Sequence, residues 1–96
     1  MASPTTDDSC FLAEWYGAEL AGAPVEPTAA TLRDAAAAVS SAGTPVHLLA
    51  ILAIPTDAVL FAVFSAASAQ IVTQTCDRAG MLAQRLTPAG VHFSEP

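Results

Sequence analysis

The sequence contains no lysine, and its basic content is limited to Arg33, Arg78 and Arg85. Against nine acidic residues these leave a net charge of −6. Such a chain has no basic patch to release counterions from a phosphate backbone, and anionic lipid repels it. Nucleic acid and membrane are therefore not expected as partners. Charged residues of either sign make up only 12% of the 96 residues, while 53% are hydrophobic, the reverse of a disordered chain. The longest largely apolar stretch, Val46 to Ile54, has nine residues, about half of the roughly 20 that a membrane helix requires. Residues 1–9 carry Asp7 and Asp8 and lack the basic and apolar regions of a secretory signal. They read as a flexible segment of a cytoplasmic protein, with both carboxylates in solvent.

Cysteine is scarce as well. Cys10 and Cys76 lie far apart with no Cys-x-x-Cys or Cys–His spacing near either, so neither a redox motif nor a zinc site is signalled. Buried free thiols are expected. The chain also lacks a nucleophile elbow, a zincin helix, a phosphate-binding loop and a dinucleotide fingerprint, and no cofactor is expected.

What is present fits one domain, residues 10–96. Residues 10–16 combine aromatic and apolar residues before Gly17 and predict a strand. Ala21 to Pro27, with Gly22, Pro24 and Pro27, reads as irregular. Thr28 then caps a helix over 28–42, with Leu32, Ala35, Ala36 and Val39 on one face and Gly43 as its left-handed terminator. A strand over 45–54, a turn at 55–58 and a strand over 59–64 form a hairpin. Ser65 caps a second helix with Ala69, Val72, Cys76 and Ala79 on one face, closed by Gly80, and Arg78 offsets the dipole at its end. The last segment, 85–93, is interrupted by Pro88 and Gly90 and predicts a short, peripheral strand.

The order strand, helix, strand, strand, helix, strand is the α+β, ferredoxin-like βαββαβ arrangement, an antiparallel sheet with two helices on one face. Both faces of the hairpin are apolar: Val46, Leu48, Ala50, Leu52 and Ile54 alternate with His47, Leu49, Ile51 and Ala53. Two helices cover one sheet face, so the other must meet a second sheet or a ligand. A domain of this size also buries only about 60–65% of its unfolded surface. A homodimer formed through its sheets, a dimeric α+β sandwich or barrel, is the simplest solution.

Few polar residues fall inside these strands. Glu14, between Ala13 and Trp15, is a candidate general base or ligand anchor, against a water-facing edge glutamate. Tyr16 and Trp15 offer apolar bodies with one polar atom each for a pocket mouth, or serve as core aromatics. His47 begins the second strand and reads either as a partly buried, hydrogen-bonded histidine or as a ligand-binding one. His92 is the weaker histidine. The candidate ligand-binding residues are Glu14, Tyr16 and His47; no catalytic residue is assigned.

Phe11-Leu12-Ala13-Glu14, Phe61-Ala62-Val63-Phe64-Ser65-Ala66, Asp77-Arg78-Ala79-Gly80-Met81 and Arg85-Leu86 resemble a family of small ferredoxin-like domains common in actinobacteria. One branch of it is dimeric and binds nickel. The resemblance spans most of residues 10–88 and implies the architecture and a conserved place for Glu14. Where it implies a histidine in the second strand this chain has Leu49. Ser65 stands for a glutamate after the third strand, and Gln74-Thr75 for a Glu-His pair. Nickel favours imidazole and carboxylate oxygen, so no metal site is expected.

Three functions follow. The first is a dimeric domain that binds a small apolar molecule beside the sheet or at the dimer interface. The second is an enzyme resembling the cofactor-free, dimeric ferredoxin-like monooxygenases and cyclases, with Glu14 or His47 as base and Trp15 and Tyr16 orienting a ring. The third is a pure assembly module. A cavity holding Glu14 or His47 favours the enzyme, a dry apolar cavity favours binding, and no cavity favours assembly.

Overall fold

A computed structural model describes residues 9–92 and residue 94. Except for Ser9, the expected flexible segment 1–9, with Asp7 and Asp8, lies outside the described residues, and so does Phe93. The chain runs β1 (Ser9–Tyr16), α1 (Ala18–Gly22), α2 (Val25–Ser41), β2 (Val46–Ile54), a 3-10 turn (Pro55–Asp57), β3 (Val59–Ala66), α3 (Ala69–Arg78) and β4 (Arg85–Ala89). The strands form one antiparallel sheet in the order β2-β3-β1-β4. The expected ferredoxin-like α+β architecture is present, with α2 and α3 packed on one face. No helix among the described residues is long and apolar enough to cross a membrane.

The segment read as irregular, 21–27, is largely helical. Ala18, Glu19, Leu20 and Ala21 are good helix formers, but five residues are too few to display a helical period. After this turn α2 starts at Val25 rather than Thr28. Pro27 fits there because its missing N–H is one of the donors that a first helical turn leaves unpaired. The first crossover thus holds two helices rather than one.

Both long helices end on a glycine that the backbone requires. Gly43 has φ 106° and Gly80 φ 72°, values that a side chain disfavours. In α2, the Gly43 amide donates to Ser40 O and the Thr44 amide to Val39 O. In α3, Gly80 and Met81 donate likewise to Asp77 O and Cys76 O. Both are Schellman terminations. Ser68, not Ser65, caps α3, accepting from the Ile71 amide at 3.4 Å. β3 continues to Ala66, so Ser65 remains a strand residue.

The core lies between the sheet and the helices. Phe11, Ala13 and Trp15 of β1 and Leu60, Ala62, Phe64 and Ala66 of β3 point inward against Leu32 and Ala36 of α2 and Val72 and Cys76 of α3. The Trp15 indole N–H donates to Met81 O at 2.9 Å, tying β1 to the α3 terminus. Trp15 is therefore a core aromatic and not part of a pocket mouth. Ser40 joins α2 to β2 by donating to Val46 O at 2.9 Å and accepting from the Val46 amide at 3.0 Å.

The hairpin departs from simple alternation. The register of β2 against β3 shifts between Leu48 and Ala50, a bulge that leaves Leu49 without a partner and exchanges the faces beyond it. Val46, Leu48, Ile51 and Ala53 stand opposite the inward residues of β3. His47, Ala50, Leu52 and Ile54 stand opposite Ser65, Val63, Phe61 and Val59. The single set running from Val46 to Ile54 that strict alternation predicts is thus divided between the two faces. At the other edge, β4 ends at Ala89, short of the expected residue 93, and pairs only with β1. Phe64 is fully buried at the centre of this core, and Phe64→Ala is expected to cost about 3–5 kcal/mol. A loss of unfolding free energy below about 1 kcal/mol in chemical denaturation would show the core to be centred elsewhere.

Candidate functional site

The sheet face away from the helices has no covering element among the described residues. Cross-strand register places Leu12, Glu14 and Tyr16 of β1, Leu52 and Ile54 of β2, Val59, Phe61 and Val63 of β3, and Arg85 of β4 on it. Leu52 is 58% exposed, and Leu12, Phe61 and Val63 are half-buried. Across the middle of this face runs an open groove of about 340 Å³, lined by Leu12, Ala50, Ile51, Leu52, Phe61 and Val63. Every lining side chain is apolar.

At the β1–β4 end of the same face sits a polar cluster. Glu14 stands between Phe61 of β3 and Arg85 of β4 and is only 9% exposed. The Tyr16 hydroxyl donates to Glu14 Oε1 at 2.5 Å. The Arg85 Nε lies 3.6 Å from Glu14 Oε2. Alternation of β1 puts Glu14 and Tyr16 on one face, two residues apart, and the β1–β4 register supplies the cation. Gln84 locks the strand ends: its amide donates to Glu14 O at 2.8 Å, and its Oε1 accepts from the Tyr16 amide at 2.6 Å. No buried side-chain nitrogen or oxygen among the described residues lacks a hydrogen-bond partner.

The hydrogen bond to Glu14 raises Tyr16 above the usual phenol value of 10.0, burial and the Glu14 charge add to this, and Arg85 opposes it. Deprotonating Tyr16 would break the bond and set two anions side by side. On the helix side, burial pushes the Cys76 thiol up to about 11. Cys76 is buried and Cys10 half-buried, and both are free.

Of the three candidate ligand-binding residues, the structure brings Glu14 and Tyr16 together and leaves His47 apart. His47 opposes Ser65 near the far end of β3, four residues along that strand from Phe61, or about 13 Å. It is exposed rather than partly buried. It rims a separate groove of about 540 Å³ between α2 and β2, which Arg33 and Asp34 also line. His92 is exposed beyond β4. Sequence reasoning missed Leu12 and Gln84. Leu12 was legible as an apolar residue on the Glu14 side of β1, whereas Gln84 precedes its strand and carries no signal.

Among the described residues, no three His, Cys, Asp or Glu side chains gather closely enough to hold a metal ion. Leu49 occupies the β2 bulge, Ser65 faces away from the helices, Gln74 is exposed and Thr75 is buried, donating to Ile71 O at 2.9 Å. This donor set does not fit nickel.

Among solved structures, the crystal structure of SCO4226 from Streptomyces coelicolor A3(2) is similar, with a TM-score of 0.69 and 20% identity over 88% of this chain and 100% of that one. The chain shares its fold. No protein-family profile matches the sequence, and no curated protein matches it.

The Tyr16–Glu14 bond is testable by ultraviolet titration of the single tyrosine. Tyr16 is expected to titrate above 10, and Glu14→Gln should lower its pKa towards 10. Because the folded-state pKa is the raised one, the bond's contribution is complete below about pH 10, where an unfolded tyrosine stays protonated. It is lost as pH rises through the folded value. An unchanged titration in Glu14→Gln would dissolve the cluster.

Proposed function

We propose that this chain is a cytoplasmic homodimer whose copies meet through the face bearing Glu14 and Tyr16, enclosing a small apolar molecule in the groove. The carrying observation is that groove. It is wholly apolar and lies on the sheet face that no helix among the described residues covers. Ligand sites are concave and mostly apolar with a few convergent polar groups, and Glu14, Tyr16 and Arg85 stand beside this one.

Area and charge favour a second copy as the cover. Four strands of five to nine residues present a footprint on the order of 400–500 Å². Doubled, this approaches the roughly 1,000 Å² that a specific interface must bury. The charged side chains placed on this face, Glu14 and Arg85, neutralise each other. Glu19, Glu26, Asp34, Asp57 and Asp77 all lie on helices or in the 3-10 turn. Among the described residues, then, no acid besides the paired Glu14 lies on the sheet to oppose contact there, while the net charge of −6 does oppose nucleic acid and anionic membrane.

A second reading, a cofactor-free enzyme with Glu14 as base, draws support from the burial of that carboxylate. Binding is preferred because both Glu14 oxygens already have partners and the groove wall has no polar side chain. His47 has no part in this groove; in this proposal any ligand contact it makes belongs to the separate groove beside α2.

Sedimentation equilibrium at micromolar concentration is expected to give a dimer. Leu52→Asp should yield folded monomers, because Leu52 projects from the face rather than into the core. A wild-type monomer would contradict the dimer. Titration calorimetry with nickel chloride should show no stoichiometric micromolar site, and finding one would overturn the account of Leu49, Ser65, Gln74 and Thr75.

A further inference from the structure

Building on the proposed groove, we infer that its ligand is an amphiphilic carboxylic acid, with the carboxylate held by Arg85 and the hydrocarbon lying over Leu12, Phe61 and Val63. The argument counts the hydrogen-bonding capacity left in the polar cluster. Both Glu14 oxygens are engaged, Oε1 by the Tyr16 hydroxyl and Oε2 by the Arg85 Nε. The Tyr16 proton is committed to Glu14. Arg85 differs. A guanidinium carries five N–H donors and no acceptor. Its Nε faces Glu14, and it acts on Tyr16 through both its charge and a side-chain hydrogen bond, which leaves further N–H donors on a side chain that remains 65% exposed. The unspent capacity of the cluster is therefore donor capacity, carried by the exposed N–H groups of the Arg85 guanidinium.

The cross-strand row fixes where that capacity lies. Leu52, Phe61, Glu14 and Arg85 are successive partners across β2, β3, β1 and β4. Leu52 and Phe61 line the groove. Adjacent strands are about 4.8 Å apart, so the Arg85 backbone lies roughly two strand spacings from that of the groove residue Phe61, and the Arg85 Nε turns back to Glu14 on the strand between them, within reach of a short hydrocarbon acid. The planar donor fork of arginine matches a carboxylate in two parallel hydrogen bonds, which an alcohol or an amine does not reproduce. Glu14 has a defined part here: it holds the guanidinium beside the groove, and the Tyr16 hydroxyl occupies an acceptor site on its other oxygen. An acid in a chain with only three basic residues needs such a local cation to bind.

Three probes of one length test this: octanoate, 1-octanol and octylamine, titrated at pH 7 into the wild-type protein and into Arg85→Gln. Octanoate is expected to bind at least tenfold more tightly than octanol, to weaken as salt rises, and to fall to the octanol value in Arg85→Gln. The arginine Nε–H resonance of Arg85 should shift with octanoate alone. Octanol binding as tightly as octanoate, or octylamine binding most tightly, would overturn the carboxylate assignment while leaving the apolar groove in place. An octanoate preference that survives Arg85→Gln would also overturn it. If none of the three binds, the groove reading fails and this inference with it.

Discussion

A four-stranded sheet with helices on one face only among the described residues is the constraint from which the rest follows. On the covered side, Phe11, Trp15, Leu60 and Phe64 meet Leu32, Ala36, Val72 and Cys76, a compact core built from small helix residues and larger strand residues. Alanine at so many helix positions lets the helices approach the sheet closely, so modest side chains fill the layer. On the other side the same strands carry Leu12, Leu52, Phe61 and Val63 with nothing over them among the described residues. An antiparallel sheet that faced water would alternate apolar with polar residues. Most of the β2–β3 hairpin here is apolar on both sides, and the proposed second copy answers that surplus.

Within that face, the Glu14–Tyr16–Arg85 cluster is a polar feature held by several independent contacts. A buried carboxylate is tolerated only when paired and hydrogen-bonded, and here each oxygen has its own partner. Gln84 fixes the two strand ends that carry the cluster. The result is a hydrogen-bonded polar corner beside an apolar groove, the arrangement expected of a site that orients one end of a mostly apolar molecule.

The architecture was legible because its signals are periodic or positional: the apolar face of 28–42, the glycines at 43 and 80, and the doubly apolar hairpin. What was not legible depended on partners distant in sequence. The first crossover's extra turn was hidden by Gly22, Pro24 and Pro27, which terminate and start helices there instead of breaking them. The bulge at Leu49 has no local signature, so strict alternation assigned Ala50, Leu52 and Ile54 to the same face as Val46. Ser65 looked like a cap because alanines and a helical pattern follow it, yet β3 simply continues until Ser68 takes that role. Glu14 and Tyr16 were recognisable as neighbours on one strand face. That Arg85 completes them is a fact of β1–β4 register, and that His47 stands apart is a fact of β2–β3 register. The placement of Trp15 was undecidable locally, since only the Met81 carbonyl, 66 residues away, distinguishes a core indole from a pocket one.

The central claim is that the face bearing Leu12, Leu52 and Val63 is covered in solution by the same face of another copy. An isotope-filtered nuclear Overhauser experiment on a mixture of carbon-13-labelled and unlabelled protein reads this directly, because only contacts between copies survive the filter. The account predicts intermolecular signals at the methyl groups of Leu12, Leu52 and Val63 and none at Leu32 or Val72. Intermolecular signals confined to helix residues, or none at all from a protein at millimolar concentration, would contradict it.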